Sequence, residues 1–396
     1  MNAIVATSGL RIAPARLAAL PPLSLYVHIP WCVRKCPYCD FNSHESRGPL
    51  PEARYVNALI ADLEAALPLV WGRRVHTVFF GGGTPSLLSS AALDAILSAV
   101  RALVPLTPDA EITLEANPGT FEAAKFSAFR KLGVNRLSIG VQSFNPAHLK
   151  ALGRIHDDLE ALRAIEIARS EFDNFNLDLM YALPGQSLSE ALADIHTAVE
   201  YAPRHISAYH LTLEPNTLFH RSPPQLPDDD AAAEMQVGIE SALARAGYRQ
   251  YETSAFCMPG RQAKHNLNYW QFGDYLGIGA GAHSKISSHE RIVRQIRHKH
   301  PQAYLAKVSE GNAVMESHEV ASHDLGFEFM MNALRLSDGF PLRLFEERTG
   351  LPLALLQKEL QIAEARGLIT RDHLRIAPSE LGRRFLNDLL QLFLRD

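Results

Sequence analysis

Cysteine is scarce in this chain, with only four residues in 396. Three of them, Cys32, Cys36 and Cys39, lie within eight positions, and the fourth is Cys257. So few cysteines in so long a chain exclude the disulfide framework on which small secreted domains depend. We therefore expect a reducing, cytoplasmic environment, and we expect the three clustered cysteines to act together.

Long apolar runs and a marked excess of one charge are also missing. No stretch approaches the roughly 18 consecutive apolar residues that indicate a membrane span, so none is predicted. The 39 Lys and Arg residues nearly balance the 43 Asp and Glu residues, for a net charge of −4. This balance gives no electrostatic case for nucleic acid as a partner. Apolar residues make up 47% and charged residues 21%, as in an ordinary globular protein of two or three domains.

The first 22 residues contain Arg11 and Arg16 but no acidic residue. We predict a disordered leader over 1–22, although targeting segments share this composition and that alternative stays open.

Strand-like and helix-like segments alternate regularly through the first half of the chain. Six β-rich runs, each separated from the next by a helical pattern, lie at 23–29, 75–80, 111–116, 136–142, 175–182 and 205–213. Serial strand–helix units of this kind predict a parallel sheet with helices outside it. The fold class is therefore α/β, a partial (β/α)6 TIM-like barrel over 23–225.

The second half is less regular. We predict an extension of the barrel over 226–310, which contains the segment HNLNYW at 265–270. Over 311–396 the pattern predicts a smaller helical domain of winged-helix-like type, because helical segments are followed by strand signals near 368–376.

Polar or glycine-containing segments follow the predicted strands. Because the carboxyl ends of parallel strands meet at one rim, we expect a ligand site there. A tight turn is the simpler explanation for the glycines, and a structural ion pair for the acids. The candidate residues on this rim are Gly82, Gly83, Thr84, Glu115, Gln142, Arg154 and Asp178.

The cysteine spacing C-x3-C-x2-C supplies three thiolates where a closed tetrahedral or cubane site needs four ligands. One interpretation is a structural zinc site completed by His28 or His44. The other is an iron–sulfur cluster with one iron open to an external ligand. All three thiolates fall in one loop after a strand, which favours the cluster.

His265 stands near Tyr269 and Trp270, a combination suited to gripping a porphyrin or its iron. A histidine in such a run is more often an ordinary hydrogen-bonding residue, and both interpretations stay open.

Taken together, these motifs resemble the radical S-adenosylmethionine (SAM) superfamily. The cysteine motif has an aromatic residue, Tyr38, before its last cysteine, and the GGGTP turn at 81–85 follows one strand later. The segments RLSIGVQSF at 136–144, NLDLMYALPGQ at 176–186 and YLGIGAGAHS at 275–284 extend the likeness to the branch that contains oxygen-independent coproporphyrinogen III oxidase and the HemW family of haem chaperones. The short leader, Asp40-Phe41 after the last cysteine, and HNLNYW are closer to the chaperones. Ala182 departs from the glycine that is usual at its position.

The resemblance implies a [4Fe–4S] cluster held by Cys32, Cys36 and Cys39, with SAM on its open iron. It implies a SAM pocket of Tyr26, Gly82, Gly83, Thr84, Glu115, Gln142, Arg154 and Asp178, and a haem contact by His265. The expected partners are haem and an acceptor protein, with a homodimer and peripheral association with membrane haem proteins left open. Radical oxidative decarboxylation of porphyrinogen propionates is the alternative function, and the implied chemistry leaves open whether the chain turns over as an enzyme.

Overall fold

The computed structural model describes residues 16–119 and 124–394. The strands of the first half are β1 (Leu23–Ile29), β2 (Trp31–Cys32), β3 (His44–Glu45), β4 (Val75–Gly82), β5 (Leu106–Ala116), β6 (Arg136–Gln142), β7 (Phe175–Tyr181) and β8 (His205–His210). The helices among them are α1 (Glu52–Val70), α2 (Ser90–Leu103), α3 (Phe126–Lys131), α4 (Pro146–Ala151), α5 (Asp158–Glu171) and α6 (Leu188–Glu200).

The second half begins with α7 (Leu218–Arg221) and α8 (Asp229–Arg245). It continues through β9 (Arg249–Glu252), β10 (Ala255–Cys257), α9 (Lys264–Trp270), β11 (Asp274–Ile278), β12 (His283–Ser287), β13 (Ile292–Arg297), α10 (Pro301–Ser309) and β14 (Val314–Glu319). The last elements are α11 (Leu325–Ala333), β15 (Phe340–Pro341), α12 (Leu342–Thr349), α13 (Gln357–Ala365), β16 (Ile369–Arg371), β17 (Arg375–Pro378), α14 (Glu380–Arg384) and α15 (Leu386–Gln391).

The main sheet of the described chain has twelve strands in the order β14-β13-β12-β11-β1-β4-β5-β6-β7-β8-β10-β9. The six predicted strands lie side by side and parallel, and β11 adds a seventh parallel strand next to β1. Antiparallel strands extend both sides of this parallel block. The predicted α/β fold class, a partial barrel with a smaller C-terminal unit, is confirmed.

The parallel strands carry apolar residues on the face that packs with the helices into the main hydrophobic core. Leu25, Val27 and Ile29 of β1 are at most 1% exposed. Polar caps fix where the helices begin: the carboxylate of Asp157 accepts from the backbone N–H of Glu160, which reciprocates with its own side chain. Ser187 and Glu190 form the same capping box at α6.

The C-terminal elements enclose a second apolar core. Phe329 packs edge-on against Phe340 and Phe345, with ring centroids 4.9 and 5.1 Å apart. The strands β15, β17 and β16 form a small antiparallel sheet beside the helices. Phe272, which precedes β11, joins this core by contacting Phe329 at 5.8 Å.

The leader predicted over 1–22 lies for the most part outside the described residues. Of its described part, Leu17 is buried in the C-terminal core and exchanges hydrogen bonds with His289. The boundaries at 22, 225 and 310 stay predictions. In the two described ranges, no helix has the length and apolar character needed to cross a bilayer.

Candidate functional site

The cysteine loop begins where β1 ends and is closed at its base. The short strands β2 and β3 pair in parallel, so that Trp31 lies beside His44 and Cys32 beside Glu45. Inside the loop, the ammonium of Lys35 donates to the carbonyls of Phe41 and Ser43, at 3.1 Å each. These contacts close the loop, with Cys36 and Cys39 at its tip.

Cys32, Cys36 and Cys39 are free, half-buried thiols that line one cavity of about 480 Å³. Burial raises the pKa of Cys32 and of Cys39, so both favour the neutral thiol until a cation is bound. Cys257 is buried in β10. The structure therefore brings together the three cysteines that the spacing had singled out.

The zinc alternative receives no support from the side chains around this loop. Among residues 16–119 and 124–394, no group of three or more His, Cys, Asp or Glu side chains is arranged to hold one metal ion. His28, a suggested fourth ligand, is already engaged through Tyr26 Oη at 3.0 Å and the carbonyl of Asn42 at 2.9 Å. A cubane cluster separates its ligands more widely than a single ion does. Three thiols around an open cavity fit the cluster better.

The glycine turn after β4 is built against the cysteine loop. Gly82 has a φ of +115°, and a Cβ there would lie 2.5 Å from the His28 ring. A Cβ on Gly83 would lie 2.5 Å from the carbonyl oxygen of Trp31. Only glycine fits these close approaches. The turn and the side chain of Thr84 border the cavity next to the cysteines.

Two acidic residues lie deeper in the same cavity. Burial raises the pKa of Glu115 to about 8, and the charge of Asp178 adds to the shift. Burial also raises the pKa of Asp178, which accepts from Ser138 Oγ and from Asn176 Nδ2 at 2.8 Å each. Both carboxyl groups would ionise more readily beside a bound cation. This cation preference fits SAM, which carries an ammonium and a sulfonium.

Gln142 and Arg154 also line the cavity, on its β6 side. Gln142 ends β6 with a φ of +70°, a left-handed conformation that turns the chain at the rim. The guanidinium of Arg154 donates to Asn117 Oδ1 and to the carbonyl of Gly140 at 2.7 Å each, and to Cys36 Sγ at 3.6 Å. Arg154 thus connects the cysteine loop to the strand ends.

Tyr26 differs from the other predicted SAM residues, because its ring lies behind the cavity wall. It stacks on Phe79 with ring centroids 6.2 Å apart. Burial raises its pKa, and the charge of Glu115 adds to the shift. Tyr26 is therefore a neighbour of Glu115.

Helix α9, which contains HNLNYW, closes the end of the barrel opposite the cysteines. Asn268 Nδ2 donates to Ser24 Oγ near the start of β1, at 2.9 Å. The backbone N–H of His265 donates to Glu111 in the first half of β5, at 3.2 Å. Asn266 lines the cavity, so one space extends from the cysteine loop to this helix.

His265 itself is 1% exposed, and both of its ring nitrogens are engaged. Nδ1 lies 2.7 Å from Thr77 Oγ1, whose hydroxyl donates to Ser24, so Nδ1 carries the proton. Nε2 then accepts from Tyr269 Oη at 3.0 Å. Burial lowers the pKa of His265 to about 3. Its predicted haem contact stays a prediction, and in this conformation neither nitrogen is available to iron.

Several residues that line the cavity were not predicted from the sequence. They occupy every second position of β6, β7 and β8, and so face the interior of the barrel. The alternation of polar residues within these apolar runs was the available signal. The additional residues are Arg136, Ser138, Asn176, His205, Ser207 and Tyr209.

Comparison with known proteins agrees with this geometry. The model of the radical SAM superfamily matches residues 26–198, and that of the HemN C-terminal domain matches residues 320–385. The Escherichia coli (strain K12) heme chaperone HemW is 50% identical, over 96% of this chain and 100% of that protein. The Haemophilus influenzae heme chaperone HemW is 46% identical, over 95% and 99%.

Two further relatives are more distant. The mouse protein named radical S-adenosyl methionine domain-containing protein 1, mitochondrial, is 37% identical over 95% of this chain and 88% of its own length. The solved structure of coproporphyrinogen III oxidase (HemN) from Escherichia coli, described as a radical SAM enzyme, superposes with a TM-score of 0.81. It is 25% identical, over 94% of this chain and 90% of that one.

Proposed function

This chain belongs to the radical SAM superfamily and, within it, to the HemW family, and on that premise we propose that it binds haem and transfers it to acceptor proteins. The observation that carries the proposal is the near full-length identity with proteins named heme chaperone HemW, which reaches 50% over 96% of the chain. No large insertion or deletion separates the two, since an alignment of 384 residues covers 96% of this chain and 100% of the relative.

We propose further that Cys32, Cys36 and Cys39 hold a [4Fe–4S] cluster and that SAM occupies the adjoining cavity. When bound, this pair can supply a 5′-deoxyadenosyl radical by one-electron cleavage of SAM. Gly82, Gly83 and Thr84 would offer backbone carbonyls and a hydroxyl to SAM, because their backbone N–H groups already donate within the protein. Glu115 and Asp178 would take its ammonium and ribose hydroxyls.

Arg154, Gln142 and Tyr26 would complete this pocket. The contact of Arg154 with Cys36 Sγ suits a thiolate ligand, because the guanidinium would stabilise its charge. Tyr26 would act indirectly, by packing behind Glu115.

The proposed haem contact of His265 requires a change in the position of α9. Because Thr77 and Tyr269 engage both ring nitrogens, α9 would have to move away from β4 before the ring could bind iron. Haem binding at this residue would therefore open the closed end of the barrel.

The second candidate is turnover as an oxygen-independent coproporphyrinogen III oxidase, favoured by the structural likeness to HemN over 94% of this chain. The two functions differ in one measurable product. The protein is purified without oxygen, its cluster is restored, and haem is titrated while coproporphyrinogen III is offered with SAM in parallel. We expect one haem per chain and no decarboxylation. A decarboxylated porphyrinogen would overturn the chaperone proposal.

The haem contact is tested separately with His265→Ala, and His76→Ala on an exposed position of β4 is the matched control. We expect a weaker and spectrally altered haem complex in the first variant and an unchanged one in the second. Normal haem binding by His265→Ala would remove this residue from the site but leave the chaperone function intact.

A cytoplasmic location, an acceptor protein, a homodimer and peripheral association with membrane haem proteins complete the proposal. The family membership supports haem and an acceptor as partners. Gel filtration with and without haem and SAM would test the homodimer, and a single monomer peak under all conditions would overturn it.

A further inference from the structure

Inside the barrel, at the start of β6, lies a buried cation that the carboxylates of the described residues leave without a salt bridge. Arg136 begins β6, lines the cavity and is 3% exposed. Among the described residues, no carboxylate forms a salt bridge with its guanidinium, and its Nε has no hydrogen-bond acceptor. A buried guanidinium in this state is costly unless an anion neutralises it.

A second unsatisfied donor lies beside this arginine. Thr113 on β5 is directly opposite Arg136 in the strand register, so their side chains share one face of the sheet. Thr113 is fully buried, and its Oγ1 has no hydrogen-bond partner in the described part of the chain. Two neighbouring buried donors therefore lack an acceptor, and native structures rarely leave such groups unsatisfied.

The surroundings locate this pair at the α9 end of the cavity. The charge of Arg136 adds to the lowering of the pKa of His205 and of His265 that burial causes. His265 belongs to α9, and the next residue, Asn266, lines the cavity. The SAM pocket proposed above adjoins this end, since the charge of Arg136 also opposes the raised pKa of Glu115 and of Asp178.

We propose that Arg136 binds a carboxylate group at this end of the cavity, beside the buried hydroxyl of Thr113. The planar guanidinium fork of Arg136, which lines the cavity, matches a carboxylate through two parallel hydrogen bonds. Glu115 and Asp178 face the same cavity, so a dianion such as phosphate would meet repulsion once they ionise. A single carboxylate neutralises the arginine and meets less of that repulsion.

Two molecules could supply this carboxylate. One is a small free monocarboxylate, and the other is a haem propionate. Only the second source rests on the proposed haem function, and the carboxylate site stands without it.

Sodium propionate is the probe for the site itself, with propionamide as its uncharged counterpart. In protein purified without oxygen, saturating propionate should raise the Tm by about 3 °C relative to the Tm in sodium chloride of equal ionic strength. Propionamide should leave the Tm unchanged. The shift should vanish in Arg136→Gln and shrink in Arg136→Lys, which keeps the charge but loses the fork. Arg130→Gln, at an exposed position, should respond like the wild type.

An equal shift in Arg136→Gln, or no shift in the wild type, would overturn the proposal. Should the variants fail to fold, ¹³C-propionate is added to the wild type alone. Line broadening that excess unlabelled propionate reverses supports the site, and unbroadened lines overturn it.

Haem and its dimethyl ester then distinguish the two sources. If a haem propionate is the ligand, haem displaces ¹³C-propionate and the ester does not. The wild type then also binds haem at least about tenfold more tightly than it binds the ester. Propionate that stays bound in the presence of haem supports a free monocarboxylate as the ligand. A wild type that binds propionate but no haem would contradict the proposed haem function and leave this site standing.

Discussion

At the scale of the single residue, the proposed function depends most directly on the side chains of the cysteine loop. Cys36 lies at the tip of a loop that Lys35 and the β2–β3 pair already hold closed. Its thiol is therefore not needed to shape the loop. A change at this position should affect the bound metal much more than the fold.

We expect Cys36→Ala to lose the iron–sulfur cluster, with iron falling from about four atoms per chain to near zero after anaerobic reconstitution. The Tm of the metal-free protein should change little. Cys257→Ala, in buried strand β10, is the matched control and should keep its iron. Full iron content in Cys36→Ala would show that the cluster has other ligands.

Glu115 makes the metal-free protein sensitive to pH. Burial comes first among the causes that raise its pKa from 4.5 to about 8, the charge of Asp178 comes second, and Arg136 opposes both. The folded state therefore binds this proton more tightly than the unfolded state does. Ionisation consequently reduces the free energy of unfolding as the pH rises from about 4.5 to about 8.

We expect Glu115→Gln to flatten this decline, so that its Tm exceeds that of the wild type by more at pH 8 than at pH 5. Thermal unfolding followed by circular dichroism at several pH values measures the effect. Glu200→Gln, at the exposed end of α6, should leave the slope as it is in the wild type. A parallel decline in Glu115→Gln would mean that other groups cause the pH dependence.

At the scale of elements, the turn after β4 and the cysteine loop form one rigid unit. The backbone N–H of Gly83 donates to the carbonyl of Ile29 at 2.7 Å, and that of Thr84 to the carbonyl of Trp31 at 2.8 Å. These bonds set the distance between the proposed SAM pocket and the cluster ligands. A side chain inserted here would separate the two elements.

We expect Gly83→Ala to lower SAM affinity at least about tenfold and to destabilise the fold by about 1–3 kcal/mol, because its Cβ would lie 2.5 Å from the Trp31 carbonyl oxygen. Gly48→Ala is the matched control, since a Cβ there meets nothing within 4 Å. Equilibrium dialysis with labelled SAM and chemical denaturation measure the two effects. Unchanged SAM affinity in Gly83→Ala would separate the turn from the SAM pocket.

The elements also show which parts of the molecule the sequence could predict. Strand β1 was bounded correctly at Leu23–Ile29 because its apolar run is local information. The cysteine spacing and the glycine turn were equally local, and the structure brings both to one cavity. Helix α9 could not be located in this way, because its contact between Asn268 and Ser24 joins residues 244 positions apart. Arg136 was missed because a single cation at the start of a strand resembles an ordinary strand-end residue until its burial is known.

At the scale of the whole molecule, the sheet and the C-terminal core are joined at the start of β11. Phe272 packs into the C-terminal core, and two residues later Asp274 is fully buried in the sheet. The carboxylate of Asp274 binds Arg73 at 2.8 Å and Lys285 at 3.0 Å, while Ser287 donates to it through its backbone N–H and its hydroxyl. One buried acid thus forms ion pairs with two cations, one between α1 and β4 and one in β12.

Asp274→Asn should therefore destabilise the whole molecule by about 3–5 kcal/mol, because it leaves Arg73 and Lys285 in the interior without a counter-charge. The fully buried ammonium of Lys285 lies 4.1 Å from the Phe272 ring centroid, and the ring alone cannot compensate for the lost carboxylate. Chemical denaturation followed by fluorescence and by circular dichroism measures the change. The matched control is Asp338→Asn, which breaks an exposed pair with Arg249 and should cost at most about 1 kcal/mol. Equal losses in the two variants would mean that solvent reaches the Asp274 cluster, and that the start of β11 is not the junction on which both cores depend.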